Sequence, residues 1–494
     1  MDATVDSVIR FDASALPPKA YELLWRGLTF PNPEYSNRVR FGRWAGATPE
    51  EFTLVEQGTD GEVLIPRGAV GILKAALASV RRTVRFEDRR VTAAPVDYTF
   101  ALTLRDYQEQ AVEALVRHVQ GCAVLPCASG KTVIGAGVIA RSAQPAIILV
   151  HTQDLLDQWC ETVAAALGIT AGVVAEGRVE PDTITVATVQ TLAVLPQAEL
   201  RELAARFGVV ILDECHHAPA TVFRRVLSAF PARYRLGLTA TPEREDGLTP
   251  LLALCIGSTH FEVRHRELVA AGHLIVPRVT AVHTGSSPTA DSHSSLVSKL
   301  CVDSERNDQL VALTAREARA GRSVLLLSGR VSHCRALATR LQGEGVTAEA
   351  LTGRVARGRR KEILDAFRAG EVRVVCATSL ADEGLDVSRL ERLILATPAR
   401  AEGRTIQRLG RLMRPHPGKE TPVLFDLVDD TDLARRHYAA RRRAYRKALG
   451  RLETGDCRLE TGDCGPEDGN TTRSRTIGTS SLQPTASSLA PEAT

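Results

Sequence analysis

From about residue 96 onward, short apolar runs alternate with stretches that have helical spacing. Five runs rich in Val, Ile and Leu predict strands in the first half of this region: AVLPC, AIILVHT, TITVATVQ, GVVILDE and RLGLTAT. A second series predicts strands after about residue 320: SVLLLSG, AEALTG, VRVVCATS, RLILAT and PVLFDLV. Short apolar strands that alternate with helices are typical of parallel sheets covered on both faces. The pattern therefore predicts two α/β lobes, at residues 96–250 and 316–432.

The regions that flank the two lobes follow other patterns. Residues 1–95 are rich in aromatic residues and broken by prolines, which predicts a small α+β domain. Residues 251–315 include the polar segment TGSSPTADSHSS, which predicts a linker with a short insertion. Residues 433–450 predict a strongly basic helix. Residues 451–494 repeat RLETGDC in tandem and then lose large apolar residues, so we expect a disordered tail.

Composition narrows the class of protein. A chain of 494 residues is too long for one core, and its net charge of +4 neither requires nor excludes a nucleic-acid partner. Its ten cysteines include no C-x-x-C pair, which argues against a zinc ribbon and against a disulfide framework. The sequence has no signal-peptide pattern and no apolar run near the ~20 residues of a membrane span. We therefore expect a cytoplasmic protein without a membrane partner.

In the N-terminal region, arginines and aromatic residues are interleaved. Arg38, Arg40 and Arg43 alternate with Phe41 and Trp44, an arrangement that suits base stacking and phosphate contact. A small core with a solvated charged face explains the same pattern equally well. We keep both interpretations and regard this region as a candidate DNA-binding module.

The segment LPCASGKT, residues 125–132, lies between a predicted strand and a predicted helix. Its final Gly-Lys-Thr is typical of a loop that holds nucleotide phosphates at a helix N-terminus. The Lys131 ammonium would reach the β- and γ-phosphates, and the Thr132 hydroxyl would ligate Mg²⁺. Ala128 stands where many such loops have Gly. The residues expected to line this loop are Cys127, Ala128, Ser129, Gly130, Lys131 and Thr132.

Two acidic residues follow the apolar strand GVVIL. The carboxyl edge of a parallel sheet would place Asp213 and Glu214 beside the phosphate loop. We expect Asp213 to hold Mg²⁺ with Thr132, and Glu214 to orient or deprotonate the attacking water. Upstream, in LRDYQ, Arg105 precedes Gln108, whose amide has a donor and an acceptor that suit adenine. These residues predict ATP hydrolysis with Mg²⁺.

Polar residues in two further segments complete the candidate site. Thr239 and Thr241, in LTAT, have hydroxyls that would link the acidic residues to a bound strand. In QRLGRLMRP, the residues Arg408, Arg411 and Arg414 recur every three positions, so they are expected to share one helical face or turn. An arginine that reaches the γ-phosphate across a cleft stabilises the transition state. A solvated helix face would show the same arginine spacing.

Together and in this order, these segments resemble the core of superfamily 2 nucleic-acid helicases over about residues 100–430. LPCASGKT resembles motif I, LVHTQDLLDQW motif Ia, ATVQTL motif Ib, DECH motif II, LTAT motif III and LLLSGRVSHCRAL motif IV. ATSLADEGLDV and QRLGRLMRP resemble motifs V and VI. The Leu-Pro-Cys lead, the Arg-Glu-Asp triplet at 244–246 and the spacing into IGSTHFEVRHRELVAAGHL resemble the XPB-like branch. In that branch, an aromatic-bearing N-terminal domain serves as a duplex-binding or damage-recognition module.

The resemblance implies two tandem RecA-like parallel-sheet lobes, with ATP between them and single-stranded nucleic acid across both. The implied catalytic residues are Lys131, Asp213, Glu214, Arg411 and Arg414; Gly384, Asp386 and Arg408 are implied as further nucleotide contacts. The implied nucleic-acid contacts are Thr152, Gln190, Thr191, Thr239, Thr241, Arg244, Glu245, Asp246, Gly329, Arg330, Thr352, Gly353 and Thr378. The chain departs from the family pattern at Ala128 and in its short thumb segment, at about 283–300.

We expect an ATP-dependent DNA helicase or translocase that moves 3′ to 5′, in DNA repair or a related genome-maintenance or defence role. Two alternatives stay open: an ATP-dependent RNA helicase, and a weakly catalytic, ATP-gated DNA clamp that recruits a nuclease. The expected partners are single-stranded or forked duplex DNA and a nuclease or repair protein. We expect a monomer or weak oligomer at the nucleoid of a prokaryotic cell.

Overall fold

The computed structural model describes residues 1–58, 61–217, 221–240, 248–378, 387–398, 408–449 and 454–458. Residues Met1–Arg458 form one unit, in which three large sheets follow one another along the chain. None of the helices in these ranges is both long and apolar enough to cross a membrane.

The first sheet lies in the N-terminal region and has five strands. Their order across the sheet is Glu56–Gln57, Glu62–Ile65, Ile9–Asp12, Asp2–Val5 and Arg85–Asp88. A two-stranded sheet, Thr29–Pro31 with Glu51–Thr53, lies beside it, together with the helices Pro18–Gly27, Pro33–Arg40 and Val70–Ala78. Alternating side chains such as Ile9 and Phe11 point into a core that the helices cover.

Buried arginines attach the N-terminal region to the next sheet. Arg67 donates hydrogen bonds to the carbonyl of Ala232 at 2.7 Å and to the side-chain oxygen of Gln120 at 3.0 Å. Arg235 donates to the carbonyl of Ser7 at 2.8 Å. A buried guanidinium is costly unless its donors are satisfied, so these bonds fix the relative position of the two parts. The N-terminal region is therefore held against the first lobe by buried hydrogen bonds.

The second sheet has eight strands and forms lobe 1. Their order is Arg178–Glu180, Gly172–Ala175, Ile184–Thr188, Ala146–Val150, Val209–Asp213, Tyr234–Thr239, Gln120–Val124 and Thr259–Glu262. All neighbours are parallel except the first two. The helices are Asp106–His118, Lys131–Ser142, Gln153–Leu167, Val189–Val194, Gln197–Ala204, Thr221–Leu227, Thr249–Cys255 and His265–Ala270.

The third sheet has seven parallel strands and forms lobe 2. Their order is Ala348–Leu351, Val374–Thr378, Val324–Ser328, Arg392–Leu395, Val423–Val428, Arg278–His283 and Thr454–Arg458. The helices are His293–Val302, Ser304–Arg319, Val331–Gly343, Arg357–Ala369 and Asp432–Leu449, with a further helical segment at 408–412. The predicted fold class, two tandem α/β lobes with parallel sheets, is confirmed.

The segment expected to be a linker, 251–315, is mostly part of the lobes, which corrects that boundary. Thr259–Glu262 pairs with Gln120–Val124 in lobe 1, and Arg278–His283 pairs with Val423–Val428 in lobe 2. Both strands begin and end with polar residues, THFE and RVTAVH, so their apolar pattern was weak in the sequence. In the segment expected to be a thumb, a helix begins at His293 and packs apolar side chains on lobe 2.

The C-terminal strand corrects the start of the region expected to be disordered. The last four residues of the first copy of RLETGDC and the first residue of the second copy form the strand Thr454–Arg458, which pairs in parallel with Arg278–His283. Backbone pairing with an open sheet edge does not need large apolar side chains. The rest of the predicted tail, residues 459–494, lies outside the described residues.

Candidate nucleotide site

The phosphate loop connects the strand Gln120–Val124 to the helix Lys131–Ser142. Gly130 caps this helix with a left-handed backbone, φ 79°, and a Cβ there would lie 2.6 Å from Nε2 of Gln108. Ala128 is also left-handed, with φ 69°. This conformation costs an L-residue with a Cβ about 1–2 kcal/mol, which explains why Gly is usual at this position.

Two side chains from the preceding helix hold the loop in place. The hydroxyl of Tyr107 donates to the carbonyl of Ser129 at 2.6 Å, and Nε2 of Gln108 donates to the same oxygen at 2.9 Å. The backbone N–H of Arg105 donates to Oε1 of Gln108 at 3.0 Å. Both ends of the Gln108 amide therefore bond to the protein, and its expected contact with adenine stays a prediction. Sequence reasoning missed Tyr107, although it stands beside Gln108 in LRDYQ.

Lys131 and Glu214 form an ion pair at the centre of the site. Nζ of Lys131 lies 2.6 Å from Oε1 of Glu214, and both side chains are largely buried. Burial is the largest influence on each group and disfavours its charge, but their mutual attraction together with neighbouring groups (Asp213 for Lys131, His216 for Glu214) outweighs it, so the pKa of Lys131 is raised and the pKa of Glu214 is lowered. Glu214 also has a left-handed backbone, φ 48°, which is unusual for this residue type. The pair holds both side chains in their charged forms where a phosphate would bind.

Asp213 is fixed by two donors. Nε1 of Trp159 donates to Oδ2 of Asp213 at 2.9 Å, and the backbone N–H of Glu214 donates to Oδ1 at 2.9 Å. Burial, followed by the negative charge of Glu214, raises the pKa of Asp213. Trp159 is fully buried and was not identified as a site residue from the sequence. Its position in LVHTQDLLDQW, at the end of an amphipathic segment, is typical of a core residue.

His216 connects the acidic segment to the next strand. Its Nδ1 lies 3.0 Å from the hydroxyl oxygen of Thr239 and 3.4 Å from Oε2 of Glu214. Thr239 was expected to link the acidic residues to a bound nucleic-acid strand. His216 connects Thr239 to Glu214. The His of DECH was the available signal for this role.

Lobe 2 contacts the phosphate loop directly. A Cβ on Gly410 would lie 2.4 Å from Cβ of Cys127, so the helical segment 408–412 approaches the loop at van der Waals distance. The charges of Arg411 and Arg414 act on the thiol of Cys127: burial raises its pKa, and these arginines oppose the rise. The structure therefore brings the second-lobe arginines to the site that contains Lys131 and Glu214.

The expected nucleic-acid residues of lobe 1 lie at the ends of its strands. The Thr152 hydroxyl caps the helix Gln153–Leu167 by accepting from the N–H of Leu155 at 3.3 Å. Nε2 of Gln190 donates to the carbonyl of His151 at 3.0 Å. Thr188 donates to the hydroxyl of Thr191 at 2.9 Å.

In lobe 2, the expected nucleic-acid residues differ in exposure. Arg330 is half-buried and donates to Ser294 and Ser298, while the N–H of the exposed residue Gly329 donates to Thr397 at 2.9 Å. Thr352 and Thr378 are buried. Six predicted site residues lie outside the described residues: Thr241, Arg244, Glu245, Asp246, Gly384 and Asp386.

The polar side chains near the phosphate loop suit Mg²⁺ bound together with a nucleotide better than a metal ion bound by protein ligands alone. In the described part of the chain, no group of three or more His, Cys, Asp or Glu residues could hold a metal ion. Mg²⁺ in nucleotide sites usually takes one or two protein oxygens and completes its shell with phosphates and water. Thr132 and Asp213 are the residues expected to supply such oxygens, and each Asp213 oxygen accepts one hydrogen bond from the described residues and keeps further acceptor capacity.

Comparisons with known proteins agree with this geometry. Residues 101–244 match the family model of the type III restriction enzyme res subunit, and residues 305–416 match the helicase conserved C-terminal domain. The chain is 27% identical over 324 residues to the DNA 3'-5' translocase XPB2 of Sulfurisphaera tokodaii, covering 58% of this chain and 73% of that protein. It is 29% identical over 297 residues to the DNA 3'-5' helicase XPB of Kineococcus radiotolerans, covering 58% and 52%. It thus spans about half the length of the second relative.

A solved structure has a similar fold. The structure of S. cerevisiae Dbp5 bound to RNA and ADP BeF3 matches with a TM-score of 0.55 at 17% identity, covering 72% of this chain and 89% of that one. At this identity the likeness concerns the two RecA-like lobes alone. The two family models and the relatives, not this likeness, support an assignment to helicase superfamily 2. Several of the relatives are named XPB, so the comparisons support the XPB-like branch of that superfamily.

Proposed function

We propose that this protein is an ATP-dependent DNA helicase or translocase that moves 3′ to 5′ and acts in DNA repair or a related genome-maintenance or defence process. The observation that carries the proposal is the pairing of Lys131 with Glu214 at 2.6 Å, with the lobe 2 segment that contains Arg411 against the same loop. The names of the XPB relatives support two further parts of the proposal: DNA as the substrate and 3′ to 5′ as the direction of movement.

Each residue of the site has a separate role in ATP hydrolysis. An incoming γ-phosphate competes with Glu214 for the Lys131 ammonium, and the released carboxylate orients and deprotonates the attacking water. When bound, Mg²⁺ supplies positive charge beside the phosphates, and Thr132 and Asp213 are the residues that would hold it. Arg411 and Arg414 supply positive charge from lobe 2, so hydrolysis depends on closure of the cleft.

Movement along DNA follows from the same closure. His216 joins Glu214 to Thr239, which precedes the Arg-Glu-Asp segment 244–246 in the chain. Strand contacts by Thr152, Gln190 and Arg330 would be mainly to phosphates, and would therefore be independent of sequence and sensitive to salt. Opening and closing of the cleft would alternate these contacts and move the strand.

The test of the proposed function is ATP hydrolysis measured with single-stranded DNA, forked DNA and single-stranded RNA, followed by displacement of a labelled strand from 3′-tailed and 5′-tailed duplexes. We expect stimulation by DNA and displacement from the 3′-tailed duplex. Stimulation by RNA alone would favour the RNA helicase alternative. Tight ATP-dependent DNA binding with negligible turnover would favour the clamp alternative, in which a nuclease partner performs the chemistry.

The backbone strain at Ala128 leads to a prediction about the loop. In Ala128→Gly, removal of the Cβ relieves about 1–2 kcal/mol of left-handed strain, while the freer unfolded chain costs about 0.5–1 kcal/mol. We expect a slightly higher unfolding temperature and an unchanged kcat, because Ala128 already adopts the required conformation. Thermal unfolding and steady-state ATPase assays measure both. A several-fold rise in kcat would show instead that Ala128 distorts the loop.

The contact between Gly410 and Cys127 gives a second prediction. In Gly410→Ala, the new methyl group would meet Cβ of Cys127 at 2.4 Å and push the lobe 2 segment away from the loop. We expect kcat for ATP to fall about tenfold or more, because a displacement of about 1 Å at a catalytic group has effects of this size or larger. The double variant Gly410→Ala with Cys127→Gly removes the clashing atom and should recover part of the loss. Failure of this rescue would contradict the steric explanation.

We propose further that the N-terminal domain contacts DNA through an aromatic and basic surface. Trp44 is 86% exposed and Phe41 68% exposed, and the guanidinium of Arg40 lies 5.9 Å from the Phe41 ring. Exposed aromatic rings beside arginines suit base stacking with phosphate contact, worth about 1–3 kcal/mol per stacked base. Because this domain is fixed to lobe 1, the surface would move with that lobe.

Removal of the Trp44 ring tests this surface. We expect Trp44→Ala to weaken binding to forked DNA about five- to 150-fold, the range that corresponds to one stacked base. ATP hydrolysis at saturating DNA should stay unchanged, and fluorescence anisotropy with labelled forks measures the affinity. Trp25→Ala is the matched control, since this ring stacks on Tyr21 at 6.0 Å within the domain. Equal effects of the two variants would argue for a structural role of Trp44.

A further inference from the structure

Charged side chains of the two lobes meet at a second place, away from the phosphate loop. Arg357 of lobe 2 lies 2.7 Å from a carboxylate oxygen of Asp157 and 3.1 Å from one of Glu176, both in lobe 1. Arg360 of lobe 2 forms an ion pair with Asp154 of lobe 1. We call these five residues the interlobe ion cluster.

Helix geometry explains why the five charges meet. Arg357 and Arg360 are three residues apart at the start of the helix Arg357–Ala369, so they face the same way. Cations are unfavourable at a helix N-terminus, and this first turn has no acidic residue of its own. Asp154 and Asp157, also three residues apart, begin the lobe 1 helix that faces them and supply the missing negative charge. The unfavourable local placement of the two arginines is thus compensated by the other lobe.

The cluster is connected to the nucleotide site through the same lobe 1 helix. The helix Gln153–Leu167 also carries Trp159, which donates to Asp213 at 2.9 Å. Burial raises the pKa of Asp154, and the charges of Arg360, Arg357 and Arg411 oppose that rise. Asp154 is therefore within electrostatic reach of both the cluster and an expected catalytic arginine.

We propose that Arg357 and Arg360 are positioning residues, which hold lobe 2 in the orientation that keeps Arg411 beside the phosphate loop. The proposal rests on the proposed ATPase function. Arg357, Asp157 and Glu176 are about half-exposed. Each of the two ion pairs of Arg357 therefore contributes at most about 1 kcal/mol to stability and is screened by salt. Contacts of this strength favour the closed cleft without preventing it from opening in each cycle.

A charge exchange across the cleft tests this role. In Arg357→Glu, three like charges face one another, and we expect kcat for DNA-stimulated ATP hydrolysis to fall about fivefold at low salt. ATP binding should change less than about twofold, because the residues of the phosphate loop are untouched. The exchanged variant Arg357→Glu with Asp157→Arg restores an opposite pair and should return kcat to within about twofold of wild type. Raising the salt to about 0.5 M should reduce the difference between wild type and Arg357→Glu.

Arg359→Glu is the matched control on the same helix. Arg359 pairs with Glu349 at 2.8 Å and with Glu362 at 3.2 Å, both within lobe 2. This variant makes the same charge change without touching the cleft, so its kcat should match that of wild type. Unfolding temperatures of all variants show whether a loss of activity reflects a loss of folding.

Small-angle X-ray scattering supplies a readout that does not depend on activity. Without the cluster the lobes should separate more often, so Arg357→Glu should have a larger radius of gyration than wild type at low salt, and the exchanged variant should not. An unchanged radius and kcat in Arg357→Glu, or an exchanged variant that recovers neither, would overturn the proposal. A wild-type protein without DNA-stimulated ATPase activity would contradict the proposed function instead, while the scattering comparison would still decide on the cluster.

Discussion

The Glu214→Gln variant should bind ATP and hydrolyse it about 10²–10⁴-fold more slowly than wild type. An amide cannot take the proton of the attacking water, whereas the Glu214 carboxylate is kept ionised by the Lys131 ammonium at 2.6 Å. The change keeps the size of the side chain and an acceptor oxygen for Lys131. Phosphate release at saturating ATP and single-stranded DNA measures kcat, and a fluorescent ATP analogue measures binding.

The control for this variant is Glu180→Gln. Glu180 is an exposed lobe 1 residue that pairs with Arg178, and the same substitution there should leave kcat unchanged. A second check is Lys131→Ala, which should abolish turnover and also weaken ATP binding, because the ammonium contacts the phosphates. Turnover by Glu214→Gln near the wild-type rate would show that Glu214 is not the general base. The proposed ATPase would then have no identified base.

The parts of this site that could be predicted from the sequence are those with local signals. LPCASGKT stands between an apolar strand and a helix, and the strand before Asp213 and Glu214 is a continuous apolar run. These patterns follow from the chain itself, because parallel strands buried on both faces need apolar residues at every position. The location of these residues at the carboxyl edge of the parallel sheet could therefore be predicted from the sequence alone.

Other parts of the site arise only from tertiary contacts. The hydrogen bond from Trp159 to Asp213 joins residues 54 positions apart, and no local pattern distinguishes Trp159 from an ordinary core residue. The contact of Gly410 with Cys127 requires both lobes. The lobe boundaries were misplaced for a related reason: strands such as Thr259–Glu262 lie at a sheet edge, where half-exposed residues weaken the apolar pattern.

Arg411→Ala should reduce kcat for ATP hydrolysis about 10³-fold or more, the loss expected when an arginine that stabilises the transition state is removed. Arg411 belongs to lobe 2, while Lys131 and Glu214 belong to lobe 1. The ground-state affinity for ATP should therefore change little, because lobe 1 retains the phosphate loop. Single-turnover hydrolysis and binding of a fluorescent nucleotide separate the two effects. Arg319→Ala is a matched control, since Arg319 is an exposed lobe 2 residue paired with Glu344.

The result also discriminates between the two interpretations of the arginine run. A solvated helix face would tolerate Arg411→Ala with little change in kcat, as Arg319→Ala should. If Arg411 acts on the nucleotide, Arg411→Lys should recover only part of the rate, because a compact ammonium cannot reproduce the planar, two-donor geometry of a guanidinium. Gly410→Ala, which keeps Arg411 but displaces its segment, should then lower kcat in the same direction. Full activity in Arg411→Ala would show that closure of the cleft does not supply the catalytic charge.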